Sequence, residues 1–223
     1  MPSRFAFFAS KDEIESTFGV SPGNLEIFPY YNLKPTNRAT AIVNEEGYKL
    51  VRMYWGYTKG FQSYKARSET VHEKKLFRKA FVEKRCVILA NGFFEWERVG
   101  KERIPYYFSL KNEPLFGIAG IYNSYFDEEE TRMRYKCAVL TTEPHPVVEK
   151  VFHRMPVIFD KKLVDFWLDY EKTQEELLAI LKPYEGEMNS WIVDTLPSKG
   201  DNGPATIKPA KKKSPKTTLS EFF

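Results

Sequence analysis

Cys86-Val87-Ile88-Leu89-Ala90-Asn91-Gly92-Phe93-Phe94-Glu95-Trp96 is the stretch from which the rest of the chain is best read. Its first four residues form a short apolar run, which predicts a buried strand. Asn91-Gly92 is a turn signal, because both residues tolerate positive φ. A carboxylate, Glu95, then stands among Phe93, Phe94 and Trp96. Burial against rings disfavours the charged form of a carboxyl group and raises its pKa, which suits a general acid or proton shuttle. Strand alternation offers a second reading, with Glu95 facing solvent while its neighbours face inward.

Around this stretch the bulk numbers set limits. A chain of 223 residues holds one generous domain or two small ones, and 42% apolar with 16% aromatic residues supports an ordinary core rich in rings. No apolar run approaches the length of a membrane span. Phe5-Ala6-Phe7-Phe8-Ala9 is too short for a signal peptide, and Lys11-Asp12-Glu13 follows it closely. An intracellular protein is expected. Cys86 and Cys137, the only cysteines, both lie in apolar strand-like runs and read as inert buried thiols. His72, His145 and His153 have no partner at ligand spacing, so neither a metal site nor a cofactor is expected. The net charge is +4, and the last thirteen residues supply most of it with Lys211, Lys212, Lys213 and Lys216 against Glu221. The body is nearly neutral, so a nucleic-acid site would have to be a local patch.

In chain order, Ser10 with Glu13 three residues on predicts a capped helix ending near Phe18 at Gly19. The segment from Tyr30 to Thr36 should be extended before Pro35. Residues 39–43 and 48–54 predict a hairpin, and 70–84 a helix with Val71, Phe77, Ala80 and Phe81 on its inner face. Strands are expected at 104–110, 115–122, 133–141 and 156–159, with Glu128-Glu129-Glu130 in a turn and helices at 163–170 and 173–181. Beyond Gly200 the residues are mainly Gly, Pro, Lys and Ser, which cannot bury enough surface to order themselves. Many short strands, few helices and no alternating strand–helix rhythm point to an α+β fold with a mainly antiparallel, barrel-like sheet and peripheral helices.

Several segments line up with one another. They are Arg4-Phe5, Asn32-Leu33-Lys34-Pro35, Trp55-Gly56, Lys65 to Thr70, Arg85-Cys86 with Gly92 to Trp96, His153 to Ile158, and Asp201-Asn202-Gly203-Pro204. In this order and spacing the chain resembles the SOS-response-associated peptidase (SRAP) family from Met1 to about Pro209. The resemblance implies recognition and covalent shielding of abasic sites in single-stranded DNA by a monomeric α+β domain with a basic groove, acting in the cytoplasm at the nucleoid. Arg4, Asn32, Pro35, Trp55, Arg67, Arg154, Met155 and Pro156 match the DNA-contacting pattern, and Glu95 the catalytic one. The chain departs from the family at three reactive positions. The family's cysteine, whose amine and thiol close a thiazolidine on the abasic aldehyde, is here Pro2. Its asparagine is Lys65, and its histidine is Phe152. His153, one position late, should face the other way in an extended segment.

Two readings remain. In one the protein is a reader of abasic sites in single-stranded DNA or at a single-strand/duplex junction during replication-coupled repair, with Lys65 a phosphate contact and Phe152 a stacking surface. In the other a Lys65 amine, or the Pro2 amine once Met1 is removed, attacks the aldehyde while Glu95 shuttles the proton. Structural roles stand beside the binding ones: Trp55 as core, Arg67 paired with Glu69 or another carboxylate, and Arg154 in a structural ion pair. A nucleotide or small-ligand binding protein using the same pocket is a further alternative. Residues 210–223 are expected to form a flexible basic tail. Its end, Lys216 to Phe223, resembles the sliding-clamp-binding box, with Leu219, Phe222 and Phe223 in place and Lys216 where the box has glutamine.

Overall fold

The computed structural model describes residues 3–57, 63–194, 196 and 202–211. In chain order its strands are β1 (Arg4–Phe7), β2 (Tyr30–Leu33), β3 (Arg38–Asn44), β4 (Tyr48–Trp55), β5 (Lys65–Arg67), β6 (Arg85–Ala90), β7 (Gly92–Val99), β8 (Glu102–Leu110), β9 (Phe116–Asp127), β10 (Arg132–Thr142), β11 (Met155–Pro156), β12 (Ile158–Phe159) and β13 (Met188–Ile192). The helices are α1 (Lys11–Phe18), α2 (Arg78–Glu83), α3 (Pro146–Glu149), α4 (Lys161–Leu168) and α5 (Gln174–Ala179).

Strand pairing explains the barrel. β10 pairs with β4, β4 with β3, β3 with β6, β6 with β9, and β9 again with β10, so the sheet closes on itself. Closure removes the exposed edges that an open sheet would present. β5 continues the parallel pairing on β10 beyond the end of β4, and β11 and β12 add to β10 and β9. A second sheet, in the order β13-β8-β7-β1-β2, lies against it. This is the α+β, barrel-like architecture with peripheral helices that the strand pattern implies. No helix among the described residues is long and apolar enough to cross a membrane.

β6 is buried along its whole length because both of its faces are covered. Val87 and Leu89 pack with Phe18, Phe81 and Trp167 of the helices. Cys86, Ile88 and Ala90 pack with Phe5, Phe93 and Phe108 of the second sheet. A strand covered on both sides reads as an unbroken apolar run, as this one does. Cys86 and Cys137 are free thiols, both buried, and burial raises the pKa of each.

Asn91-Gly92 is not a reverse turn. β6 ends at Ala90 and β7 begins at Gly92, so one nearly continuous strand passes from the barrel into the second sheet. Glycine is required there by space rather than by φ. A Cβ on Gly92 would lie 2.2 Å from the Tyr107 hydroxyl and 2.6 Å from the Phe108 carbonyl oxygen. Asn91 fixes the crossing, accepting from the Phe8 amide at 2.7 Å and donating to the Pro114 carbonyl at 2.6 Å.

Local signals hold elsewhere. Ser10 and Glu13 form a capping box on α1, and Gly19 ends it with φ 69°. The segment 70–84 is helical only over α2, whose N-cap Phe77 offers no side-chain acceptor. Turns at Thr70 accept from the Glu73 and Lys74 amides instead, although Val71, Phe77, Ala80 and Phe81 are all buried as the periodicity implies. β13, to which the sequence reading assigns nothing, closes the second sheet against β8. Asn202 reaches back to β2, accepting from the Tyr31 and Asn32 amides at 2.8 and 3.3 Å.

A candidate nucleic-acid cleft around Glu95

β7 lies between β1 and β8, with Glu95 opposite Tyr106 and Phe94 opposite both Arg4 and Tyr107. Glu95 follows Phe93, two residues before it on the strand, toward the apolar side. Only 1% of Glu95 is exposed, so the solvent-facing reading does not hold. Burial pushes its carboxyl up to about 7, against the opposing pull of the Lys65 charge. A group with that pKa exchanges a proton readily near neutrality.

Glu95 sits in the lining of a cleft of about 600 Å³, with Trp96, Arg98, Arg103, Lys150, Phe152 and His153 around it. Glu97 and Glu149 also line it, so its three carboxylates stand against three Arg and Lys side chains and His153. Arg98 and Arg103 stand directly opposite each other across the β7–β8 hairpin. Like charges so paired are destabilising unless an anion comes between them. The sequence reading missed this pair. Its signal was two arginines flanking Gly100-Lys101, a two-residue loop with Gly100 at φ 60°.

The residues singled out from the sequence fall into three groups. Arg4, Lys65, Phe152 and Glu95 come together at or beside the cleft. Arg4 donates to Asn32 Oδ1 at 3.0 Å and lies 5.6 Å over the Trp96 ring. Lys65 lies 4.7 Å over the Tyr64 ring. Phe152 and His153 have ring centroids 4.3 Å apart, and both line the cleft. This corrects the expectation that His153 faces away. The chain leaves α3 through a turn in which the Val151 and Phe152 amides both donate to the Val148 carbonyl, so period-two alternation does not apply at 152–153.

A second group lies apart from the cleft lining, most of it in the core. Trp55 is 1% exposed, packs 4.8 Å from Phe5 and donates to the Tyr64 carbonyl at 2.6 Å, so its ring offers no face for stacking on a base. Met155 and Pro156 are buried where β11 pairs with β10, and the Met155 sulfur accepts from the His145 amide. Their place in the DNA-contacting pattern is therefore structural in this chain. Asn32 is also buried and orients Arg4. Arg154 is held by both oxygens of Glu69 at 2.6 and 2.9 Å and by the Thr141 carbonyl at 2.5 Å, which is the ion-pair alternative. Arg67, with Glu69 so engaged, is exposed. Pro35 occupies the turn from Lys34 to Asn37, closed at 3.0 Å, with Thr36 at φ 78°.

The third group, Pro2 with Leu219, Phe222 and Phe223, lies outside the described residues. Among the described residues no three His, Cys, Asp or Glu side chains gather as a metal site would need.

The sequence pattern of the SOS response associated peptidase (SRAP) family matches residues 1–197. Abasic site processing protein YoqW of Bacillus subtilis is 33% identical over 223 residues, spanning 93% of this chain and 99% of the relative. Abasic site processing protein YMR114C of Saccharomyces cerevisiae is 29% identical over 82% of this chain and 53% of the relative. A crystal structure of a protein from Bacteroides thetaiotaomicron superposes with TM-score 0.79 at 23% identity, covering 93% of this chain and 99% of that one, and shares the fold.

Proposed function

The chain belongs to the SOS response associated peptidase family, and from that premise we propose that it recognises abasic sites in single-stranded DNA, taking the lesion into the cleft beside Glu95. The observation that carries the proposal is the buried Glu95 carboxyl, raised to about 7, in a cleft lined by rings and an opposed arginine pair. Its bacterial and yeast relatives are named abasic site processing proteins. Phe152, His153 and Trp96 supply faces on which the bases flanking a missing one would stack. Arg98 and Arg103 would share a phosphate. Pro2 has no thiol, so a thiazolidine, which needs an amine and a thiol on one residue, does not form here.

A second reading adds chemistry and rests on the electrostatic coupling of Lys65 to Glu95. The Lys65 amine attacks the aldehyde of the opened abasic sugar and a C–N bond forms. The carbonyl oxygen departs as water, taking two protons from the original ammonium by way of Glu95, and an iminium remains. Water reverses this step, whereas borohydride reduces the iminium to a stable amine.

The test is anisotropy with a single-stranded oligonucleotide carrying one abasic site, followed by borohydride treatment and intact mass. Binding that favours the abasic strand over an intact one is expected. An adduct lost in Lys65→Met assigns the amine to Lys65, and peptide mapping of one that survives tests whether Pro2, freed by removal of Met1, carries it. Binding without an adduct leaves the protein a reader. Absence of binding to any oligonucleotide, with affinity for a free nucleotide, would overturn the function in favour of a small-ligand protein.

A further inference from the structure

The cleft lining sets three carboxylates against three Arg and Lys side chains, so the charge of a longer DNA strand calls for further cations outside it. A concentration of cations lies on the face of β3, β4 and β10 opposite to Met53, Trp55 and Cys137, where alternation places Arg38, Arg52, Tyr54, Arg134 and Lys136. Register sets Arg38 against Tyr54 and Tyr54 against Lys136. Arg38 donates to the Tyr54 hydroxyl at 2.7 Å and lies 4.7 Å over its ring, and Arg134 reaches the same hydroxyl at 3.5 Å. Arg52 lies 5.8 Å over the ring of Phe28, which is 53% exposed. A depression of about 270 Å³ is lined by these arginines and Tyr54.

The arginines are not equivalent. Arg134 is neutralised by Asp127 and Glu130, and Arg132 by Glu130. Among the described residues Arg38 and Arg52 have no carboxylate partner, and the buried Nε of Arg52 finds no acceptor. Burial, and then the charge of Arg38, hold the Arg52 guanidinium below its usual pKa. Two uncompensated like charges beside an exposed ring match a nucleic-acid backbone, with guanidinium for phosphate and ring for base.

The path to the cleft is short. β2 runs from Tyr30, which interacts electrostatically with Arg52, to Asn32, which holds Arg4 over the cleft residue Trp96. Two strand residues span about 7 Å.

We propose that this face is a second docking surface for the same single-stranded DNA, in which Arg38 and Arg52 grip phosphates flanking the lesion and Phe28 stacks a base. The proposal rests on the reading of the Glu95 cleft as the lesion site.

The test compares abasic single strands of about 5 and about 15 nucleotides, lengths that bracket typical single-strand footprints. Arg38→Gln with Arg52→Gln should weaken the long strand about tenfold and lower its salt slope by about 1.4, leaving the short strand unchanged. Equal loss on both lengths, or none on the long one, would overturn the second surface while leaving the cleft in place. A parent protein that binds neither length would overturn both. Phenylglyoxal modification of the unaltered protein removes dependence on the variant's folding. The long strand should protect Arg38 and Arg52 and the short one should not; identical modification with and without the long strand counts against the surface.

Discussion

Glu95 shows what one buried proton does. Its folded pKa of about 7 stands above the ordinary 4.5 of an exposed glutamate. The folded protein therefore binds a proton that the unfolded chain releases between those values. The contribution to stability is fully present below pH 4.5 and is lost as pH rises through about 7. A shift of this size corresponds to about 3 kcal/mol. Glu95→Gln, which mimics the protonated form, should remove this part of the pH dependence and so flatten the loss of stability between pH 5 and pH 8, which urea denaturation of both proteins at the two pH values measures. A parent with the same slope as the variant would show Glu95 to be charged in the folded state. The residue was legible in the sequence because a carboxylate among three rings is chemically odd. Which way it faced was not, since that depends on β7 being covered by β1 and β8. His153 departs from strand alternation for a related reason: the short helix α3 puts a turn where alternation assumes a strand.

At the scale of elements, Arg85 joins two helices to the barrel. It is 1% exposed and donates to the Phe81 and Val82 carbonyls of α2 and to the Trp167 and Asp169 carbonyls at the end of α4. Those are the carbonyls that a helix end leaves without partners, and a cation there is favoured by the helix dipole. Arg85→Met should cost about 3 kcal/mol or more, because several buried acceptors lose their donor at once. Arg85→Lys should recover little of it, since one ammonium cannot span both ends as a planar fork does. Denaturant titration of the two variants tests this, and a loss below about 1 kcal/mol would leave the helices anchored by packing alone. Gly92→Ala should be similarly damaging, by about 1–3 kcal/mol, because the added methyl meets both the Tyr107 hydroxyl and the Phe108 carbonyl. Tyr107→Phe in the same chain should restore only part of the loss, since the backbone contact remains. The caps of α1 were readable because they are local. The Asn91-Gly92 crossing was not, because local chemistry suits a turn and only the packing of Tyr107 decides otherwise.

For the whole molecule, fold class and a barrel-like sheet followed from the rhythm of short strands, but the pairings that close the barrel did not. Closure depends on β10 meeting both β4 and β9, a long-range pairing without a local signature. The same is true of the Arg38, Arg52 and Tyr54 face, assembled across strands by register. Recruitment belongs to this scale as well. Leu219, Phe222 and Phe223 lie outside the described residues, and we propose that the tail they end docks on a sliding clamp. Burying these side chains favours binding and fixing the backbone around them opposes it, which leaves a weak, reversible tether. A peptide of residues 211–223 should therefore bind the clamp only at micromolar strength, about −8 kcal/mol. Lys216→Gln should tighten it, and alanine at both Phe222 and Phe223 should remove it. Calorimetry with equal heats for the native and double-alanine peptides would leave the tail a plain basic extension.

Asn202 has a consequence in time. Its side chain holds the backbone of Tyr31 and Asn32, and Asn32 in turn orients Arg4 beside the cleft. During synthesis these bonds cannot form until residue 202 has left the ribosome, long after the barrel strands have been made. A nascent chain thus acquires its scaffold well before its grip. An unfinished copy stalled upstream of Asn202 would carry the fold's centre and the Glu95 carboxyl, but not the finished wall with which to hold damaged DNA.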